Sequence, residues 1–108
     1  MKWIHLTNID QLTEIDQQSF NRPQFIFKHS TRCSISSMIL TRLERSKVPE
    51  EVDCYILDLI RHRDISNKIA QEYDVYHESP QVLLIKNGEC VYDESHYGIT
   101  MDAIIEQV

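Results

Sequence analysis

Cys33 stands in the run His29-Ser30-Thr31-Arg32-Cys33-Ser34-Ile35-Ser36, between a β-rich segment and the start of an apolar helical stripe. A thiol attacks as its thiolate, and a free cysteine with a pKa of ~8.5 holds only a few per cent of that form at neutral pH. A helix N-terminus favours the anion through unpaired backbone N–H groups and the helix dipole. The dipole supplies roughly 0.3–1 kcal/mol, less than the ~1.4 kcal/mol that a tenfold gain in thiolate requires. Neighbouring side chains must supply the rest. Arg32 adjoins the cysteine, Lys28 and His29 lie upstream, and Thr31, Ser34 and Ser36 carry hydroxyls.

Ser36 lies one helical turn beyond Cys33, where a second cysteine would resolve a mixed disulfide internally. A serine cannot resolve it, although at this spacing its hydroxyl is expected within reach of the sulfur. A monothiol site can attack a mixed disulfide, take over its small thiol, and wait for another thiol to release it. The pattern therefore suits removal of a thiol adduct from a client protein better than reduction of a protein dithiol pair.

The other chemistry-bearing residues are dispersed. Cys54 and Cys90 fall inside strand-like runs and read as small buried apolar residues. The three cysteines are odd in number and none is spaced Cys-x-x-Cys, which argues against a disulfide framework or a structural zinc site. No metal is expected. His5, His29, His62 and His77 read as surface or packing residues unless the fold gathers them. Lys28 ends a strand and is expected to be exposed. Asp58 reads as a cap, and Trp3, Phe25, Phe27 and Tyr55 as core aromatics.

Positioning these groups requires a sheet. Trp3–Leu6 reads as a short strand, residues 9–15 as a helix with Asp10 at its N-cap, and Gln24–Lys28 as a strand buried on both faces. Ile35, Met38, Ile39 and Leu43 share a helical face, and Val52–Leu59 forms a third strand. Ile65, Ile69 and Tyr73 mark another helix, and Gln81–Lys86 a strand. Asn87-Gly88 signals a type I′ hairpin returning through Glu89–Asp93. Thr100 N-caps a last helix, with Ile104, Ile105 and Val108 available to the core. The order β-α-β-α-β-α-β-β-α predicts one α/β domain over residues 1–108, a mixed central sheet with helices on both faces.

That order, with a cysteine between the second strand and its helix, resembles the thioredoxin fold. "QEYDVYHESPQVLLIKNGE", residues 71–89, is similar to the helix end, proline-led strand and hairpin of thioredoxins. The resemblance implies a cis peptide before Pro80, facing Cys33, and backbone hydrogen bonds from Ser79 to an extended substrate. More narrowly, "STRCSIS" at 30–36 and "SHYGIT" at 95–100 resemble the bacilliredoxin C, or YtxJ-like, family. That resemblance implies an active site of Cys33 and Ser36 with bacillithiol as co-substrate, no other cofactor, and thiolated client proteins as partners. Bacillithiol carries carboxylates, for which Arg32 is the first candidate cation and Lys28 the second. Thr31 belongs to the same loop, and His96 sits where the last loop of the fold approaches the cysteine. Thioredoxins carry a buried acid six residues before the nucleophile; here that position is Phe27, which speaks against a thioredoxin-like proton relay.

A formal net charge of −6 disfavours nucleic acid as a partner, and no apolar run reaches the ~18 residues of a membrane span. With no signal-peptide core after Met1, a cytoplasmic location is expected. Two other functions compete: a thioredoxin-fold docking module without redox turnover, and an iron–sulfur carrier of the monothiol glutaredoxin kind. The carrier's Cys-Gly-Phe-Ser site is replaced here by Cys33-Ser34-Ile35-Ser36.

Overall fold

The computed structural model describes residues 1–108. The elements run β1 (Ile4–His5), α1 (Gln11–Gln18), β2 (Gln24–His29), α2 (Ser34–Glu44) and β3 (Asp53–Asp58). They continue with α3 (Arg63–Glu72), β4 (Gln81–Lys86), β5 (Glu89–Ser95), a 3-10 turn at His96–Gly98 and α4 (Met101–Gln107). The sheet order is β1-β3-β2-β4-β5. β1 and β2 pair parallel with β3, whereas β4 is antiparallel to β2 and β5 to β4. This is the thioredoxin-like mixed α/β sheet.

All six residues of β2 are buried, because the strand has neighbours on both edges and helices over both faces. Phe25 and Phe27 point to the side where Ile39 and Leu43 of α2 meet Met101 and Ile104 of α4. Ile26 points to the opposite side, onto Leu12 and Ile15 of α1 and Ile65 and Ile69 of α3. Each such side chain contributes roughly 1.5–3 kcal/mol on burial. Period-2 alternation then places His29 with Phe27 on the α2 side and Lys28 on the α3 side.

Asn87 and Gly88 have φ of 54° and 76°, the positive pair a type I′ turn demands. A Cβ on Gly88 would also sit 3.1 Å from the Phe20 ring. Thr100 caps α4 through its hydroxyl, which accepts the Ala103 N–H at 3.3 Å.

Several details differ from the sequence reading, Met38 of the α2 stripe among them, which is exposed. Asp10 precedes α1 but with helical dihedrals, so its carboxylate does not cap; the Gln11 side-chain oxygen accepts the N–H groups of Thr7 and Asn8 instead. Ile105 turns outward from α4. Lys28, expected at an exposed strand end, is fully buried, because β2 runs on to His29 and α3 covers its outer half.

Candidate active site

β2 ends at His29, and the chain turns through Ser30–Arg32 into α2. Cys33 is the N-cap of that helix, with extended dihedrals (φ −107°, ψ 121°) and a partly exposed side chain. Its carbonyl accepts the Ser37 N–H at 3.0 Å, the first bond of the helix, and its own N–H donates to Ser30 O at 3.2 Å. The N–H groups of Ser34, Ile35 and Ser36 have no backbone partner. The cysteine makes no capping hydrogen bond, so these donors stay available to an anion at the sulfur.

Ser36 is buried, and its hydroxyl is engaged elsewhere. Its oxygen accepts the Ser30 N–H at 3.0 Å and lies 2.7 Å from His29 Nδ1. Nδ1 is the one acceptor among the partners of this hydroxyl, so the hydroxyl is satisfied by donating to His29, an assignment that puts the ring proton on Nε2. The expected approach of this hydroxyl to the sulfur gives way to that arrangement: Ser36 shapes the loop that carries Cys33. His29 stacks on Phe27 with centroids 5.5 Å apart, and Trp3 packs on Phe27 at 6.0 Å. Burial lowers the His29 pKa, outweighing the opposing pull of Asp58 and Glu44, so the ring is neutral at neutral pH. Sequence reasoning took His29 for an ordinary packing residue; the alternation of Phe25, Phe27 and His29 was the available signal.

The cations separate. Arg32 is exposed and forms no ion pair. Lys28 projects to the other face, where its ammonium donates to Ser66 O at 3.2 Å and to His77 Nδ1 at 3.3 Å. Desolvation pushes its pKa down to about 8. Lys28 is thus removed from the position of a ligand-binding cation, and His77 is its partner.

The Ser79–Pro80 peptide is cis, and the backbone groups of Ser79 make no intramolecular hydrogen bond. His96 donates its N–H to Pro80 O at 3.0 Å, and its ring lies 3.7 Å from a Glu78 carboxylate oxygen. Gln81 pairs with Lys28 and with Ser95, so Pro80 and His96 lie at the end of the sheet from which α2 departs, and the turn that carries His96 packs against α2. Thr31 is exposed on the near side of Cys33 and lines a cavity with His5, His29, Arg61 and His62. Asp58 caps the adjoining loop through the N–H groups of Ile60 and Arg61, at 3.2 and 3.4 Å. Sequence reading did not assemble this second cluster, whose residues come from the ends of three strands and the loops that follow them.

The remaining cysteines stand apart. Cys90 pairs with Ile85, which faces Gln24 at the start of β2, whereas Cys33 follows its end. Cys90 therefore sits at the far end of the sheet, and Cys54 is buried in the core. Burial pushes both thiols up to about 11, which holds them protonated.

The chain is similar to known proteins over nearly its whole length. Residues 4–104 match the family described as monothiol bacilliredoxin BrxC. The chain belongs to the monothiol bacilliredoxin family. A solved structure described as a candidate oxidoreductase with a thioredoxin fold is similar at 32% identity, over 96% of this chain and 91% of its own, with a TM-score of 0.84. Thioredoxin from Malassezia sympodialis is 22% identical, with 98% and 90% of the two chains covered and a TM-score of 0.75. Thioredoxin from Fasciola hepatica is 19% identical, with 96% and 98% covered and a TM-score of 0.73. The bacilliredoxin family and the thioredoxin-fold oxidoreductase together make this chain a thiol-disulfide oxidoreductase.

Proposed function

We propose that the protein removes bacillithiol from protein mixed disulfides through Cys33. The observation that carries the reading is the isolation of this thiol. Cys33 is at the N-cap of α2, Ser36 is committed to His29, and Cys54 and Cys90 are displaced and protonated. With no resolving cysteine at hand, the mixed disulfide with a small thiol persists until an external thiol arrives.

The cycle balances without any other cofactor. The Cys33 thiolate attacks the bacillithiol sulfur of the client disulfide; a Cys33–bacillithiol bond forms, the client S–S bond breaks, and the client leaves as thiolate and takes a proton. A second bacillithiol thiolate then attacks the bacillithiol sulfur on Cys33. Oxidised bacillithiol forms and the Cys33 thiolate returns. The unpaired N–H groups at the start of α2 support the sulfur anion in both steps. The client strand lies along Ser79, whose free backbone groups offer a hydrogen-bonded edge, with Pro80 beneath and His96 beside it. Arg32, exposed and without an ion pair next to Cys33, adds a positive charge beside the anionic thiol. Free, unpaired cysteines suit a reducing compartment, and we place the activity in the cytoplasm, with thiolated proteins as clients.

The test is turnover. A client protein carrying one bacillithiol adduct is incubated with the enzyme and free bacillithiol, and release of the client thiol is followed by mass. The wild type restores the thiol catalytically and Cys33→Ser does not. Equal release by both contradicts the proposal, and client binding that survives in Cys33→Ser without turnover by the wild type favours a docking module.

A further inference from the structure

Beside Cys33, on the side away from Pro80, a cavity of about 260 Å³ opens at the C-terminal ends of β1, β3 and β2. α1 and α2 leave their strands toward opposite faces of the sheet, and the crevice lies between those departures. This is where open α/β sheets bind ligands. Its polar lining includes His5, His29, Thr31, Asp58, Arg61 and His62.

We propose that this cavity seats the carboxylate-bearing end of the small thiol whose sulfur bonds Cys33. The assignment rests on the bacilliredoxin reading of that cysteine and names the part of the molecule that holds the co-substrate. Three observations carry it.

The first is reach. Thr31 in the cavity wall is two residues from Cys33, so their Cα atoms are at most ~7 Å apart. A thiol whose acid group lies several bonds beyond its sulfur spans that gap. The second is an unpaired cation in the lining. Arg61 is exposed and forms no ion pair, and His5 and His62 lie beside it. The one carboxylate of the lining, Asp58, is held as a loop cap by the N–H groups of Ile60 and Arg61. The third is the His29 tautomer. Nδ1 is taken up by Ser36 and Nε2 has no protein partner; with the Ser36 hydroxyl assigned as donor to Nδ1, the ring proton lies on Nε2. The ring thus brings an N–H donor to the back of the cavity. The guanidinium fork of Arg61, with the imidazoles of His5, His29 and His62 around it, makes a receptor for a carboxylate.

The test uses the reduced full-length chain and three disulfides: oxidised bacillithiol, oxidised glutathione and the uncharged 2-hydroxyethyl disulfide. The rate of Cys33 adduct formation is read by intact mass for wild type, Arg61→Gln and, as a control on the far end of α2, Arg45→Gln. The expected result is that Arg61→Gln lowers the ratio of the bacillithiol rate to the uncharged rate about tenfold, the loss of one charge-assisted contact. Arg45→Gln leaves the ratio unchanged. The glutathione arm separates the sources of the acid group: a ratio that falls only with bacillithiol assigns the cavity to that thiol, and one that falls with both assigns it to carboxylate-bearing small thiols in general. If the wild type reacts with all three and Arg61→Gln leaves every ratio intact, or slows all three equally, the cavity assignment is overturned while the chemistry of Cys33 stands. If the wild type forms no Cys33 adduct with bacillithiol or glutathione, the reading of the cysteine fails and the cavity assignment fails with it.

Discussion

Replacing Ser36 with alanine separates a shaping role from a role at the sulfur. The hydroxyl is buried, accepts the Ser30 N–H at 3.0 Å and lies 2.7 Å from His29 Nδ1. Alanine removes both bonds and leaves a buried imidazole nitrogen without a donor. Each bond is worth ~0.5–1.5 kcal/mol net, more where a buried group is left unsatisfied, so Ser36→Ala should cost about 2 kcal/mol. For a chain of this size that lowers Tm by about 8–15 °C. Urea denaturation of wild type, Ser36→Ala, His29→Phe and the double variant completes a cycle in which the pair couples by about 1 kcal/mol. Phenylalanine keeps an aromatic ring against Phe27 and removes both ring nitrogens, Nδ1 among them. The coupling also depends on pH. Burial lowers the His29 pKa from 6.5, so the unfolded chain takes up the proton first. The contribution is complete above pH 6.5 and is lost as pH falls through the folded value, where a protonated Nδ1 no longer accepts. An unchanged midpoint in Ser36→Ala together with a several-fold change in Cys33 alkylation would refute the reasoning, for it would place the hydroxyl on the sulfur.

Other outcomes follow from the same structure. Desolvation lowers the Lys28 pKa from 10.5 to about 8, so between these values the unfolded chain holds a proton that the folded chain has lost. The Lys28 contribution to stability therefore rises across that window by about 3 kcal/mol. Lys28→Met removes the slope, and the difference between the two proteins in urea titrations at several pH values isolates it from the other groups; parallel curves contradict it. Cys54→Ala and Cys90→Ala retain full single-adduct formation and turnover, because their thiols are protonated and remote; loss of turnover in either assigns it a resolving role. Thr100→Ala lowers stability by about 1 kcal/mol in the same denaturation assay, through loss of the α4 cap.

Much of the fold was legible because its signals are local. The apolar run of Gln24–Lys28 is a central strand, the Asn87-Gly88 pair takes the two positive φ angles of its turn, and Thr100 caps its helix. Cys33 at a helix start was legible for the same reason. The partners that distance in sequence conceals were not. Lys28 read as exposed because strand ends usually are, yet Ser66 and His77 arrive from α3 and the loop beyond it to cover and pair it. Ser36 was expected at the sulfur from helical spacing, but His29, seven residues away across the loop, takes the hydroxyl. The cavity lined by His5, Thr31 and Arg61 gathers the ends of three strands and the loops that follow them, which alternation within any one strand does not reveal.

The most direct measurement is the intact mass of the reduced protein after exposure to oxidised bacillithiol, for wild type and Cys33→Ser. One bacillithiol adduct on the wild type, absent from Cys33→Ser and discharged by free bacillithiol, is the predicted result. An unmodified wild type, or an adduct that persists in Cys33→Ser, contradicts the central claim that Cys33 carries the small thiol.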